Sequence, residues 1–159
     1  MCGIAGILGN ADMSVSGSMA ARLSHRGPDG FGGYEDVLPN GSISLSQSRL
    51  AIVDVNGSWQ PIKSEHGCVL VQNGEIYNHA FLRKLLEQAG RVFATDHSDT
   101  EVLIHGYLEW GMDGLLQRLE GMYSFAIWDC KCCSGIILNI SNTINPCKES
   151  TCLMSISTR

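Results

Sequence analysis

The chain has no apolar run long enough to cross a membrane and no basic segment ahead of its apolar N-terminal heptapeptide. Neither a membrane helix nor a secretory signal is therefore expected. Positive charge is scarce: 11 Lys+Arg stand against 16 Asp+Glu, a net charge of -5. That balance gives no electrostatic basis for a nucleic-acid partner or an anionic membrane surface. There is no internal repeat and no low-complexity run. What remains is 159 residues with an ordinary apolar share of 44%, enough for one domain with a real core. A cytoplasmic protein is expected, and a reducing compartment suits free thiols.

Cysteine is nearly absent from most of the chain. Residues 1–129 hold only Cys2 and Cys68, whereas Cys130, Cys132, Cys133, Cys147 and Cys152 crowd the last thirty. Charge shifts at the same place. Residues 1–129 carry 8 Lys+Arg and 15 Asp+Glu; beyond them stand Lys131, Lys148, Arg159 and one acid, Glu149. Zinc sites favour two separated Cys-x-x-Cys pairs. The adjacency of Cys132 and Cys133 and the lack of a second pair argue against a metal, and none is expected.

Cys2 follows the start methionine in Met1-Cys2-Gly3-Ile4-Ala5-Gly6-Ile7. Removal of Met1 gives one residue both a thiol and an α-amine, whose reference pKa of roughly 7.7–8.0 leaves it partly unprotonated near neutrality. It can then act as base for its own side chain, the N-terminal-nucleophile arrangement. The plainer reading is a small hydrophobe at a chain end.

Along the chain, Ser14 to His25 reads as a short helix stopped by Gly27-Pro28. His25-Arg26-Gly27-Pro28-Asp29-Gly30 reads as a charged turn, solvated or closing over a site. Ser42–Ser48 alternates serine with Ile43 and Leu45, a half-buried strand. It runs into Arg49-Leu50-Ala51-Ile52-Val53-Asp54. Arg49 is costly to bury unless it meets an anion, either an internal acid or a bound carboxylate. Cys68–Val71 is an apolar strand core. The Asn73-Gly74 after it is a hairpin turn or a pair of convergent donors, an oxyanion hole. Asn78 is placed to cap a helix with Phe81, Leu82, Leu85, Leu86 and Ala89 as its apolar stripe, ended by Gly90. Ser98-Asp99-Thr100-Glu101 has capping-box spacing. Asp99 there serves the helix dipole or faces a ligand's ammonium. A helix with Val102, Leu103, Tyr107 and Trp110 follows, then a third with Leu115, Leu116 and Leu119, ended by Gly121. Met122–Trp128 reads as a strand buried on both faces, and strands of that kind suggest covered sheets.

Hydrolysis of a free amino-acid amide needs a nucleophile, an oxyanion hole, a cation for the α-carboxylate and an anion for the α-ammonium. Cys2, Asn73-Gly74, Arg49 and Asp99 supply one each. These segments, with His25–Asp29, Gln60-Pro61, Asn73-Gly74-Glu75-Ile76-Tyr77-Asn78-His79, Ser98–Glu101 and Gly121–Ala126, resemble the glutaminase domain of class II glutamine amidotransferases, in the glutamine-hydrolysing asparagine synthetase branch. The likeness covers residues 1 to about 129. It implies an α+β fold, a four-layer α-β-β-α sandwich of the N-terminal-nucleophile hydrolase type. It implies that Cys2 forms a thioester with glutamine and that Asn73 and Gly74 hold the oxyanion. It implies that Arg49 binds the α-carboxylate, that the backbone of Leu50, Ala51, Ile52 and Val53 lines the site, and that Glu75 and Asp99 hold the α-amino group. In the family the ammonia passes to a synthetase domain that uses ATP and magnesium to aminate aspartate.

No pyrophosphate loop of that second domain occurs in the 159 residues, so no cofactor is expected in this chain, and asparagine synthesis would need the further domain. Past Asp129 the family pattern stops. Residues 130–159 read as a non-homologous tail, as from a shifted reading frame, that leaves the sandwich short of strands. Marginal folding is the consequence expected, although Ile136, Ile137, Leu138 and Ile140 offer a substitute strand. L-Glutamine and the synthetase domain are the expected partners, and a homo-oligomer is compatible with the sequence. The competing readings are a non-catalytic fragment, or the glutaminase half of another class II amidotransferase.

Overall fold

The computed structural model describes residues 2–39, 41–51 and 59–131, together with the backbone course of 134–143 and 154–157. In chain order the elements are β1 (Gly3–Gly9), α1 (Met13–Ala21), β2 (Gly30–Leu38), β3 (Gly41–Arg49), β4 (Ile62–Lys63), β5 (Cys68–Ile76), α2 (His79–Gln88), α3 (Glu101–Leu116), β6 (Gly121–Asp129), β7 (Ser134–Thr143) and β8 (Met154–Ser157). They form two antiparallel sheets, ordered β1-β3-β2 and β4-β5-β6-β7-β8. Alternation along the strands decides the layers. Val69, Val71, Ala126 and Trp128 point at Leu38, Ile43 and Leu45 of the other sheet. Leu70, Ile76, Tyr123, Phe125 and Ile127 point the opposite way, into Leu82, Leu86, Val102, Leu103, Ile104 and Leu115 of α2 and α3. Helix α1 lies on the far face of the three-stranded sheet. The order is therefore helix, sheet, sheet, helices, the four-layer α+β sandwich implied by the sequence.

Strand β3 departs from its reading as half-buried. Its serines do not face water. Ser44 and Ser46 are buried and bond Ser16 of α1 at 2.6 and 2.8 Å, and Ser48 donates to the Ala20 carbonyl. Small hydroxyls that satisfy one another let a helix pack closely on a strand at little desolvation cost. The helix itself is shorter than expected: Asp12 caps it by accepting from Ser14 N–H at 2.7 Å, and it gives way to turns after Ala21.

Several local expectations also change. Asn73-Gly74 is no hairpin turn but lies inside β5, paired with Ser124 and Tyr123 of β6. Asn78 precedes α2 without capping it; its amide instead donates to Arg118 O at 2.7 Å and accepts from Glu120 N at 3.1 Å, tying α2 to the β6 entry. Phe81 and Ala89 of the proposed stripe are exposed, and Leu82 and Leu86 carry the burial. The helices expected around Val102–Trp110 and around Leu115 do follow one another within α3, parted by non-helical Gly111 (φ 67°), and the second ends at Leu116, short of Leu119. Gly121 opens β6 rather than closing a helix.

The capping box does not form: Ser98 Oγ is buried without a partner. Glu101 turns outward from the helix and gathers Ala94 N–H (2.7 Å), Thr95 N–H (2.9 Å), Thr95 Oγ1 (2.5 Å) and His105 Nε2 (3.3 Å). The backbone of Ser134–Asp129 pairing brings β7 alongside β6, so the stretch with Ile136–Ile140 does form a strand. Among the described residues no group of three or more His, Cys, Asp or Glu could hold a metal, and no helix is long and apolar enough to cross a membrane. Cys132, Cys133, Cys147 and Cys152 lie outside the residues whose side chains are described.

Burial opposes the charge of Glu101, yet the donors of His105, Thr95 and the 94–95 backbone prevail and hold its pKa at about 2, below the ordinary 4.5. A depressed carboxyl stabilises the fold fully above the unfolded value and loses that contribution as pH falls toward the folded one. Glu101→Ala is expected to cost about 2–4 kcal/mol near neutrality, because it orphans buried donors. In urea melts the gap from wild type should shrink as pH drops from about 4.5 toward 2; a gap unchanged across that window would refute the account.

Candidate active site

Cys2 is placed by strand pairing. β1 runs antiparallel to β3 with Gly3 opposite Ser48, so the residue before β1 meets the residues after β3. The Leu50 N–H donates to Cys2 Sγ at 3.3 Å, and Sγ lies 3.8 Å from the Leu50 carbonyl. The sulfur is thus already held by a backbone donor, at a half-buried position. Gly3 admits the following turn closely: a Cβ there would lie 2.5 Å from Leu23 Cβ.

The loop His25–Gly30 braces this strand end rather than hovering over it. Arg26 Nε donates to the Cys2 carbonyl at 3.2 Å. Asp29 accepts from Ala51 N–H at 2.8 Å through its carboxylate and donates its own N–H to Arg49 O at 2.9 Å. A Cβ on Gly27 would stand 2.3 Å from the Ser48 carbonyl oxygen, so the loop reaches the strand only with glycine there. Arg49 is 5% exposed, with its guanidinium 4.7 Å from the centroid of the Trp59 ring. Its low exposure strengthens the interaction with any anion that reaches it. Leu50 and Ala51 are half-buried beside it. Ile52 and Val53 lie outside the described residues.

The second sheet supplies the other group. On β5, Asn73 is half-buried, with its Oδ1 fully enclosed and unpartnered, while Gly74 and Glu75 are exposed. Strand β4 is only two residues long, pairing Ile62 with Leu70. Past its end, β5 finds side-chain amides in place of a neighbouring strand: Gln72 N–H donates to Gln60 Oε1 at 2.5 Å, and Gln72 O accepts from Gln47 Nε2 at 2.8 Å. In an antiparallel ladder residues two apart turn their backbone groups to the same side. The Gly74 N–H therefore points the same way as that of Gln72, beyond the last amide that substitutes for β4. Gly74 has φ 132°, and a Cβ would sit 2.0 Å from Met122 O. Asp99, 8% exposed, accepts from Ile76 N–H at 3.0 Å and Gln72 Nε2 at 3.3 Å, both on Oδ2.

The Gln47–Gln72 bond shows that the two groups share one end of the sandwich. Arg49 follows Gln47 by two residues, and Asn73-Gly74 follows Gln72 directly. The side-by-side packing of Leu45 with Val71 continues the same course. Cys2, Arg49, Leu50 and Ala51 lie at that end of one sheet; Asn73, Gly74 and Glu75 lie at that end of the other, with Asp99 of the turn before α3 bonded to it. Gln47, Gln60, Gln72 and Trp59 had no assigned role in the sequence reading. A glutamine directly after Cys68-Val69-Leu70-Val71 was the available signal, since an amide in a buried strand demands a partner.

The sequence model of the glutamine amidotransferase domain matches residues 1–138. The chain belongs to this family. This amidotransferase domain is 41% identical over 135 residues to asparagine synthetase [glutamine-hydrolyzing] 1 of Arabidopsis thaliana, covering 81% of the chain and 22% of that protein. It is 37% identical over 137 residues to asparagine synthetase [glutamine-hydrolyzing] 3 of Bacillus subtilis, covering 81% and 21%. The chain thus spans about a fifth of the length of the curated relatives it matches. Among solved structures, glutamine phosphoribosylpyrophosphate amidotransferase from B. subtilis superposes with a TM-score of 0.70 at 24% identity, over 87% of the chain and 37% of that protein. That likeness bears out the sandwich fold. The domain is homologous to the glutaminase part of asparagine synthetases.

Gly74→Ala forces a side chain into a positive-φ position and against a carbonyl 2.0 Å away. It should destabilise the domain by about 1–3 kcal/mol. Chemical denaturation checks this, and a loss below about 0.5 kcal/mol would mean the backbone there is not held as described.

Proposed function

We propose that this domain hydrolyses L-glutamine to glutamate and ammonia through a Cys2 thioester. The observation that supports this most is the arrival of Cys2 and Arg49 at one strand end, across from Gly74 of the other sheet and the turn residue Asp99 bonded to that sheet. With Met1 removed, the Cys2 α-amine takes the thiol proton as Sγ attacks the side-chain amide carbon. The new C–S bond puts negative charge on the former carbonyl oxygen. The Gly74 N–H and the Asn73 side-chain amide receive that charge; one such donor is worth about 10²–10³ in rate. The protonated amine then gives its proton to the leaving nitrogen, the C–N bond breaks, and ammonia departs. Water, deprotonated by the same amine, attacks the thioester and releases glutamate and the thiol.

Substrate placement follows from the charges. Arg49 takes the α-carboxylate, Asp99 takes the α-ammonium with Glu75 in support, and the backbone of Leu50 and Ala51 lines the side chain's path. The Arg26 and Asp29 contacts keep the nucleophile and the Leu50 donor in register. No metal or organic cofactor enters these steps. ATP and magnesium belong to the synthetase domain of full-length relatives, which we propose as the consumer of the ammonia in asparagine biosynthesis in the cytoplasm. We place the last family-specific motif before Asp129, while the family match itself runs on to residue 138. Translation of the other two reading frames past the Asp129 codon should recover the family pattern if residues 130–159 arise from a frameshift.

Ammonia release from L-glutamine tests the proposal, with loss of Met1 verified by mass spectrometry. Wild-type protein should turn over, and Cys2→Ala should fall by at least about 10³-fold. Equal, background release from both would leave the non-catalytic fragment as the correct reading.

A further inference from the structure

Gln72 stands where an apolar residue is expected. It continues the run Cys68-Val69-Leu70-Val71, is 2% exposed, and by strand alternation shares the face of Leu70 and Ile76, which pack under α2 and α3. An amide in such a place costs free energy unless its bonds are made. Only half of them are. Nε2 donates to Asp99 Oδ2 at 3.3 Å, whereas Oε1 is enclosed with no partner. The donor half of the side chain is the part the structure uses.

That donor acts on one oxygen. Asp99 Oδ2 receives both Gln72 Nε2 and the Ile76 N–H, while Oδ1 has a single long contact, 3.4 Å from Thr100 Oγ1. A carboxylate offers about four acceptor positions. Anchoring Oδ2 from two directions fixes the rotation of the group and leaves Oδ1 as the oxygen available to a further donor. The root of Gln72 is fixed as well, its N–H and C=O being taken by Gln60 and Gln47. Two side chains from different segments thus hold the residue that orients Asp99.

We propose that Gln72 is a positioning residue that sets the Asp99 carboxylate for the substrate α-ammonium and so confers selectivity for an α-amino acid amide. This rests on the glutaminase reading and on the assignment of Asp99 to the ammonium. Gln72→Met keeps the length and removes both amide groups. Because it also removes a buried orphan oxygen, it should leave the melting temperature unchanged or raise it, which a merely structural role for Gln72 would not allow.

The test compares L-glutamine with its des-amino analogue glutaramate, in two readouts. In turnover, Gln72→Met should raise KM for L-glutamine about 10-fold, as expected for loss of a bond to a charged group, with kcat changed less than about 3-fold and KM for glutaramate unmoved. In calorimetric binding to the Cys2→Ala protein, the same substitution should weaken L-glutamine and not glutaramate. Gln72→Glu, which places an acceptor against Asp99, should be as defective as Gln72→Met or worse. An unchanged preference between the two ligands, an equal loss for both, or a lowered melting temperature would overturn the proposal. Wild-type protein that binds with this preference but releases no ammonia would defeat the catalytic reading while the proposal stands. Absence of any binding would overturn both.

Discussion

The antiparallel pairing of β1 with β3 is the constraint on which the rest depends. Cys2 is the residue before β1, so its position is whatever the register makes it. With Gly3 opposite Ser48, Cys2 must meet the Arg49–Leu50 segment. The register is held by chemistry that differs between the two faces of β3. Ser44, Ser46 and Ser48 bond α1, while Ile43 and Leu45 enter the core between the sheets. A slip of one residue would turn the hydroxyls into the apolar core and the aliphatic groups under α1. Each face thus penalises the slip independently.

The second sheet solves a different problem. A strand that offers a backbone N–H to a ligand must lack a neighbour there, yet an unpaired buried edge is costly. β5 has β4 beside it for two residues, then the amides of Gln60 and Gln47 at Gln72, then nothing across from Gly74 among the described residues. The substitution of side chains for a strand narrows the open edge to the position where a donor is useful. Gly74 completes the arrangement, because its φ of 132° and its closeness to Met122 O exclude a side chain.

These differences explain what could be read from the sequence. The strand-helix order and the strand Met122–Trp128, buried except at Met122 and Ser124, depend on local pattern, and they were legible. Strands with two apolar faces indicated covered sheets, and the four-layer order came from the family resemblance. The serines of β3 misled, because alternation with polar residues signals a half-exposed strand unless another hydroxyl-bearing element lies across from them. Asn73-Gly74 has the composition of a turn, and only the partner strand shows that it is extended. Ser98–Glu101 has the spacing of a capping box, but Glu101 finds four donors in the 94–95 segment and His105, more than the box could offer. In each case a long-range partner outweighed a local propensity. Asn78, spent on Arg118 and Glu120, is another instance.

The division of the site between two sheets has a mechanical consequence. Cys2 and Arg49, proposed as nucleophile and carboxylate-binding cation, belong to one sheet; Asn73 and Gly74, the proposed oxyanion donors, belong to the other, to which the turn residue Asp99 is hydrogen-bonded. Their spacing is set by the layer that separates the sheets, and that layer is not uniformly filled. A cavity of about 190 Å³ opens among Ile4, Ala5, Gly6, Leu45, Val71 and Ala126, a few residues behind Cys2. Dispersion contacts are lost across such a gap, so apolar packing alone holds the sheets less firmly there. The Gln47–Gln72 bond joins β3 to β5 and so crosses between the sheets ahead of the cavity. Directional bonds have a preferred length and angle, whereas aliphatic contacts tolerate sliding. The amides therefore fix the distance between the two halves of the site, and the greasy layer behind them supplies cohesion without needing to supply alignment.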